Sequence, residues 1–428
     1  MRGASRRERI GRKILRARDS ESNLALKMSE LLKKLKDLGL NIDQASNIQV
    51  DIKPKKNVDG IVEGDWVESR SQRIFVRKKL YPFGYNHGCI ELTLQYDPKD
   101  YEEIWGASDM VNLNLEDFLF LDTETSSLNL GSGALVFLFG CCYFTENGLN
   151  VLQVFIEDPS QEPLFLAYLD DWLKRFKCLV SYNGKSFDIP VLRTRYILNR
   201  IPPSIQLFKQ IDLLHTVRRI WKYDLNSKKL SDIEHKILDF QRNEDEIPGW
   251  LVPQIYQDYV QNGISEPLKG VFYHNEIDVV SLAALFLKIS QMLAKDDLQG
   301  NETFSIGEIY QRFRKYEEAD RYYKNALEDN PDEKFRERIL QSFAFSLKKQ
   351  GKLDEMSAVW EELAKIGNIT ACIELAKYFE HQKKDLSIAL LWTEKAINFI
   401  QPGVDTPFDI QNELSRRLKR LQIKLEKK

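Results

Sequence analysis

Cysteine is scarce in this chain. There are five, Cys89, Cys141, Cys142, Cys178 and Cys372, in 428 residues. The number is odd and no Cys-x-x-Cys pair occurs. Neither a disulfide framework nor a cysteine zinc site is expected, and a reducing cytoplasm is the natural compartment. An excess of charge of one sign is lacking too. Lys and Arg number 62 against 64 Asp and Glu, a formal net charge of −2. That excludes a basic nucleic-acid coat, so any attraction for phosphate must come from local patches. No run approaches about 18 apolar residues, so no membrane span is expected. The start is charged (Arg2, Arg6, Arg7, Arg9) with no apolar core behind it, which argues against a secretory signal. An Arg-rich start can mimic a transit peptide, but Glu8, Asp19 and Glu21 make that less attractive.

What is present divides the chain. A length of 428 residues suits about two to four domains, and 43% hydrophobic content is enough to bury real cores. Residues 1–22 form a basic tail, either solvated and disordered or an electrostatic arm for nucleic acid at low salt. Residues 23–112 form an N-terminal extension. In it, Leu24, Leu26, Met28, Leu31, Leu32, Leu35 and Leu38 predict an amphipathic helix over 23–38, and the region of Pro54 reads as a linker. A strand-rich piece packed on the next domain is expected from about 62 to 100. There Arg73, Arg77, Lys78 and Lys79 alternate with Ile74, Val76 and Leu80, ahead of Tyr81, Phe83 and Tyr85. Such residues suit local core or a path for a single strand.

Residues 113–293 read as α/β. Strands are expected at 118–122, 134–144, 149–156 and 178–182, with a turn around Gly131 and Gly133 and a hairpin at Asn147-Gly148. Helices are expected at 161–176, from Asp188 to about 199, at 211–222, 231–238 and 250–261, and from Tyr273 through Leu287. Three stretches carry chemistry. Phe118-Leu119-Phe120-Leu121 ends in Asp122-Thr123-Glu124, and alternation puts the two carboxylates on one side of a strand. They repel unless something positive lies between them, most simply a hard divalent cation held by oxygens. The second stretch runs from Ser181 to Pro190. Asp188 is either an ordinary first-turn helix residue or a further carboxylate, and Asn183 could position a phosphate or a base. In the third, His274 and Asp278 stand four apart, so they share one face of an otherwise apolar helix. Arg218, Arg219, Lys222, Lys228 and Lys229 form a basic cluster, either a solvated face or a hold on a phosphate backbone.

Together Asp122-Thr123-Glu124, Asn183 to Asp188 and His274 to Asp278 resemble the three exonuclease motifs of the DnaQ-like, or DEDD, 3′–5′ exonucleases. The likeness is strongest to their bacterial YprB-type, ribonuclease-H-like branch. Tyr182-Asn183-Gly184-Lys185-Ser186-Phe187-Asp188, Leu230-Ser231-Asp232-Ile233-Glu234 and Ile247-Pro248-Gly249 support it. The resemblance covers about 113–293. It implies an α/β ribonuclease-H-like domain, a mixed sheet flanked by helices. It also implies that Asp122, Glu124, Asp188 and Asp278 hold two Mg²⁺ or Mn²⁺ ions for phosphodiester hydrolysis. Thr123, Asn183, Tyr273 and Asn275 become candidate substrate contacts. The histidine variant of the superfamily places His five residues before the last Asp, and the tyrosine variant places Tyr four before. Here Tyr273 is five before and His274 four before. His274 is the favoured base, because it stands over Asp278 and imidazole titrates near neutrality.

After about 300 a repeat appears. Gly307, Tyr310, Ala319, Tyr323, Ala326 and Pro331 match the 34-residue tetratricopeptide signature. Ala344, Leu347, Met356, Trp360 and Leu363 form a second copy, Ala376, Ala389, Thr393 and Ala396 a third, and 408–426 a polar capping helix. Residues 300–428 therefore read as an all-α tetratricopeptide-like domain, which binds a protein partner or serves only to stabilise its neighbour. The whole reads as a cytoplasmic, metal-dependent 3′–5′ exonuclease acting on single-stranded DNA or RNA. The alternatives are a catalytically inactive nucleic-acid-binding scaffold that recruits a partner through its repeats, and an endonuclease of the same fold.

Overall fold

The computed structural model describes residues 58–94 (apart from Asp59 and Arg70), 102–107, 113–127, 133–295, 298, 300–329, 331–400 and 408–427. The basic tail, the helix expected over 23–38, the Pro54 linker and Gly131 lie outside them.

The run Phe118 to Leu121 is apolar at every position because both sides of its strand are covered. Phe118 and Phe120 face one core, against Phe286, while Leu119 and Leu121 face the other. This strand, β5 (Phe118–Thr125), lies inside a seven-stranded mixed sheet. Antiparallel β1 (Asp65–Ser69) and β2 (Gln72–Pro82) precede it in the chain, with the small hairpin β3 (Asn86–His87) and β4 (Ile90–Glu91) set apart. Then come β6 (Val136–Thr145), β7 (Gly148–Phe155), β8 (Cys178–Ser181) and β9 (Lys209–Asp212). The order across the sheet is β1-β2-β7-β6-β5-β8-β9, with the β5/β8 and β8/β9 pairs parallel and every other neighbouring pair antiparallel.

The strand-rich piece expected from about 62 to 100 joins the sheet, because β2 pairs with β7 along Phe75 to Pro82. Two expectations need correction. The hairpin turns at Glu146-Asn147, one residue early, and Gly148 opens β7. Gly148 takes φ +136° where a Cβ would strike the Tyr81 carbonyl. The helix expected from 211 begins at Leu213 instead, because Lys209–Asp212 pairs with β8. That strand is four residues long, too short to show a period of two.

The helices of this part are α1 (Glu102–Trp105), α2 (Glu162–Leu173), α3 (Asp188–Leu198), α4 (Leu213–Ile220), α5 (Leu230–Lys236), α6 (Val252–Asn262) and α7 (Leu268–Lys295). Helix α7 begins before Tyr273 and runs for 28 residues. Among the described residues it is the one helix long and apolar enough to cross a bilayer, contrary to the expectation that no segment approaches that length. Its apolar window is 78% buried, as befits a core helix lying against the sheet.

Seven further helices follow: α8 (Asn301–Arg312), α9 (Tyr316–Glu328), α10 (Glu333–Gln350), α11 (Leu353–Lys365), α12 (Ile369–His381), α13 (Leu386–Asn398) and α14 (Phe408–Glu426). They form a tetratricopeptide-like all-α domain. Ala319, Ala326, Ala344, Ala376, Ala389 and Ala396 are all buried, which lets paired helices approach, and Tyr323 and Trp360 fill the space between. A Cβ on Gly307 would come within 2.7 Å of the Tyr323 ring. One hydrophobic core joins Trp105, Trp221 and Phe286 of the α/β part to Phe304 and Tyr323 of the helical part.

Candidate active site

Alternation along β5 carries Asp122 and Glu124 to the face that Phe118 and Phe120 turn toward α7. The strand pairs with β8 only as far as Phe120, while β6 continues beside it to Thr125. Past Phe120, therefore, the backbone on the β8 side has lost its partner. Asp188, the first residue of α3, takes that place. Its Oδ1 accepts from the Thr123 amide at 3.1 Å and from the Thr123 hydroxyl at 2.6 Å. The loop between β8 and α3 is held at a second point. Asp212 accepts from the Asn183 amide at 2.8 Å and from the Lys185 amide at 3.3 Å, and Asn183 turns into the left-handed region at φ +64°.

From the other side α7 delivers Asn275, His274 and Asp278. Asn275 is fully buried. Its Nδ2 donates to Asp122 Oδ2 at 3.1 Å, while Oδ1 accepts from Gln153 at 2.9 Å. Gly140, opposite Asp122 in the ladder, makes room for it, since any Cβ there would collide with the Asn275 amide. Asn275 thus orients Asp122 from beneath and is shut off from a substrate. Thr123 likewise spends its hydroxyl on Asp188.

His274 and Tyr273 part company. The Tyr273 hydroxyl accepts from the Asn243 amide at 2.9 Å, and the ring lines a cavity with Arg77 and Lys79. The His274 ring turns to the carboxylates, with Nε2 3.5 Å from Asp278 Oδ2 and 4.0 Å from Glu124 Oε1. Its Nδ1 lies 2.7 Å from Glu246 Oε1. The residues that sequence patterns did not reveal stand behind it. Arg242 donates to Asp278, to both oxygens of Glu234 at 2.7 Å and to Glu246 at 2.9 Å. Glu234 also accepts from Ser281 at 2.6 Å, and the Ser281 hydroxyl lies 2.8 Å from His87 Nε2 on β3. Glu234 belonged to a noted phrase, but Arg242 and Glu246 lie in an irregular segment with no periodicity to mark them. The alternating Arg77 and Lys79, considered above for a strand path, converge with Tyr81 on the buried carboxylate of Glu276 instead.

The electrostatics follow from this crowding. Burial pushes Asp122 well above the usual carboxylate range, and Asp278, Asp188 and Glu124 push it further. Burial, with the other acids adding to it, carries Glu124 up to about 7 against the pull of His274. Asp188 rises to about 6, again chiefly by burial, despite the Thr123 bonds. Burial alone would lower His274, but Asp278, Glu246 and Glu124 outweigh it and raise the imidazole to about 9. As they stand, the acids form no closed group of three or more metal ligands among the described residues, and Arg242 occupies Asp278. The donor set nevertheless suits a hard cation. Asp122, Glu124 and Asp188 are all-oxygen groups, and among the described residues no Lys or Arg ion pair neutralises them.

A family model described as RNase_H superfamily matches residues 119–290. The uncharacterized protein YprB of Bacillus subtilis (strain 168) is 31% identical over 338 residues, covering 76% of this chain and 80% of YprB. Among solved structures, the zinc-bound E. coli ExoI–ssDNA complex aligns with 42% of this chain and 41% of its own at 15% identity and a TM-score of 0.28. The complex of E. coli exonuclease I with a dA16 oligonucleotide aligns over 42% of each chain at 18% identity and a TM-score of 0.26. The present chain thus spans about two fifths of those exonuclease chains.

Proposed function

Because this chain belongs to the RNase H superfamily, in the family of Bacillus subtilis YprB, we propose that it is a metal-dependent nuclease, a 3′–5′ exonuclease that hydrolyses phosphodiester bonds of single-stranded nucleic acid. The observation that carries this reading is the convergence of Asp122 with the buried Glu124 and Asp188, where burial raises the proton affinity of each carboxylate. With Asp278 they would hold Mg²⁺ or Mn²⁺, two ions in this proposal. Bound divalent cations supply Lewis-acid stabilisation of phosphoryl charge and make water more acidic.

The remaining work falls to the chain's own groups. Glu246 fixes Nδ1 of His274, so Nε2 is the atom that faces the acids and can carry a proton. With Asp278, Glu246 and Glu124 beside it, His274 stays an imidazolium at neutral pH. Once their charge is balanced it is free to accept the proton of an attacking water. The water oxygen bonds to phosphorus as the 3′ oxygen leaves. Phe187, next to Asp188, and Trp250, next to Gly249 beside His274, are large and exposed. Such rings suit stacking by unpaired bases, which favours a single strand over a duplex. The helical repeats would take a protein partner.

Arg242 on Asp278 is the observation that favours a second reading, a nucleic-acid-binding scaffold without catalysis. End-labelled DNA and RNA, single- and double-stranded, incubated with Mg²⁺ or Mn²⁺, separate these. Mononucleotides released from single strands support the exonuclease, internal fragments an endonuclease. Binding without cleavage, with no Mn²⁺ uptake by calorimetry, supports the scaffold.

A further inference from the structure

Four cations converge where the α/β part meets the repeats. Arg218 and Arg219 end α4, Lys222 follows it, and Arg312 ends α8. They line a cavity of about 350 Å³ together with Ser305 and Glu308. Placement at helix C-termini accounts for each arginine singly, since a cation suits that end of the dipole. It does not account for their pointing into one cavity from two helices. Glu308, the one acid of the lining, is engaged by Lys222 at 2.6 Å and by the Tyr223 hydroxyl at 3.2 Å. Four positive groups against one negative leave the cavity a net charge of +3. Arg219 is held by the carbonyls of His215 and Glu103, both at 3.1 Å, and stays charged although burial and Arg312 lower its pKa from the usual arginine value. Ser305 is buried, lines the same cavity and has a hydroxyl with no hydrogen-bond partner among the described residues. Arginine forks and a neutral hydroxyl are the donor set that suits a phosphate oxyanion.

We propose that this cavity binds a backbone phosphate of the nucleic-acid strand, as an anchor away from the carboxylates. The proposal rests on the nuclease reading for the identity of the strand. The two places are linked through α4. Asp212 at its N-terminus holds the Asn183–Lys185 loop that leads to Asp188, and Arg218 lies six residues, about 9 Å of helix rise, further on. A strand engaged at both places would be gripped by its backbone, without regard to base sequence.

The test uses the full chain carrying Asp188→Asn, so that bound strand survives, and a fluorescent single-stranded 20-mer. Adding Arg218→Gln with Arg312→Gln is expected to weaken binding about tenfold and to lower the salt slope by about one to two. Ser305→Ala, which keeps the charge, is expected to weaken binding about threefold with an unchanged slope. A thermal melt checks that each variant folds. In the chain with Asp188 restored, the arginine changes should raise KM for long strands and leave dinucleotide hydrolysis alone. Unchanged affinity and slope overturn the proposal, as does poly-glutamate competing as well as nucleic acid. If the arginine variants lose binding while the unmutated chain degrades nothing, the anchor stands and the nuclease reading falls.

Discussion

At the level of single residues, the acids of the candidate site are placed at the expense of stability. Asp188 and Glu124 bind protons more tightly folded than unfolded, with values near 6 and 7 against ordinary carboxylates near 4. Folded protein therefore holds extra protons between about pH 4 and 7, and stability without divalent cation should fall as pH rises through that window. Asp188→Asn should flatten this slope and add about 1–2 kcal/mol at pH 8, read from urea unfolding in chelator. A steeper slope in the variant would count against it. Gly140→Ala belongs to the same scale. Its methyl would displace Asn275 from Asp122. Activity should drop by about 100-fold, in line with the loss of an outer-shell support. Near-wild-type turnover would mean that Asn275 does not orient Asp122.

At the level of elements, α7 is tied to the edge of the sheet by one carboxylate. Glu276 receives Arg77 at 2.5 Å, Lys79 at 2.6 Å and the Tyr81 hydroxyl, all from β2. Glu276→Leu would leave these donors facing an apolar side chain, and should cost about 3–5 kcal/mol by chemical denaturation. A loss under about 1 kcal/mol would show that β2 is held by its ladder alone. Elements also show what the sequence could reveal. Asp122, Glu124, Asp188 and Asp278 were legible because each stands in a regular pattern, at the end of an apolar run or on an apolar helix. Strand β9 was not, since Lys209-Gln210-Ile211-Asp212 becomes a strand only by pairing with β8. Arg242 and Glu246 were hidden for a related reason. They act from an irregular segment across long sequence separations, and only the fold brings them to His274 and Asp278. The exchanged order of Tyr273 and His274 is also decided by the fold, which gives the tyrosine to Asn243 and the histidine to the acids.

At the level of the whole molecule, the repeats share a core with the α/β part. Tyr223 stacks on Phe304, and the Trp221 indole donates to Glu302 at 2.5 Å. A chain ending at residue 299 would expose this aromatic surface, so it should aggregate or unfold when expressed alone. A soluble, cooperatively melting fragment would contradict that dependence.

The central claim is that the buried acids make this chain a metal-dependent nuclease. Its most direct measurement compares the unmutated chain with Asp188→Asn on a 5′-labelled single strand in Mn²⁺. The unmutated chain should shorten the strand stepwise from its 3′ end, and Asp188→Asn should slow this at least 1000-fold while melting no lower. Equal degradation by both proteins, or none by either, would contradict the account.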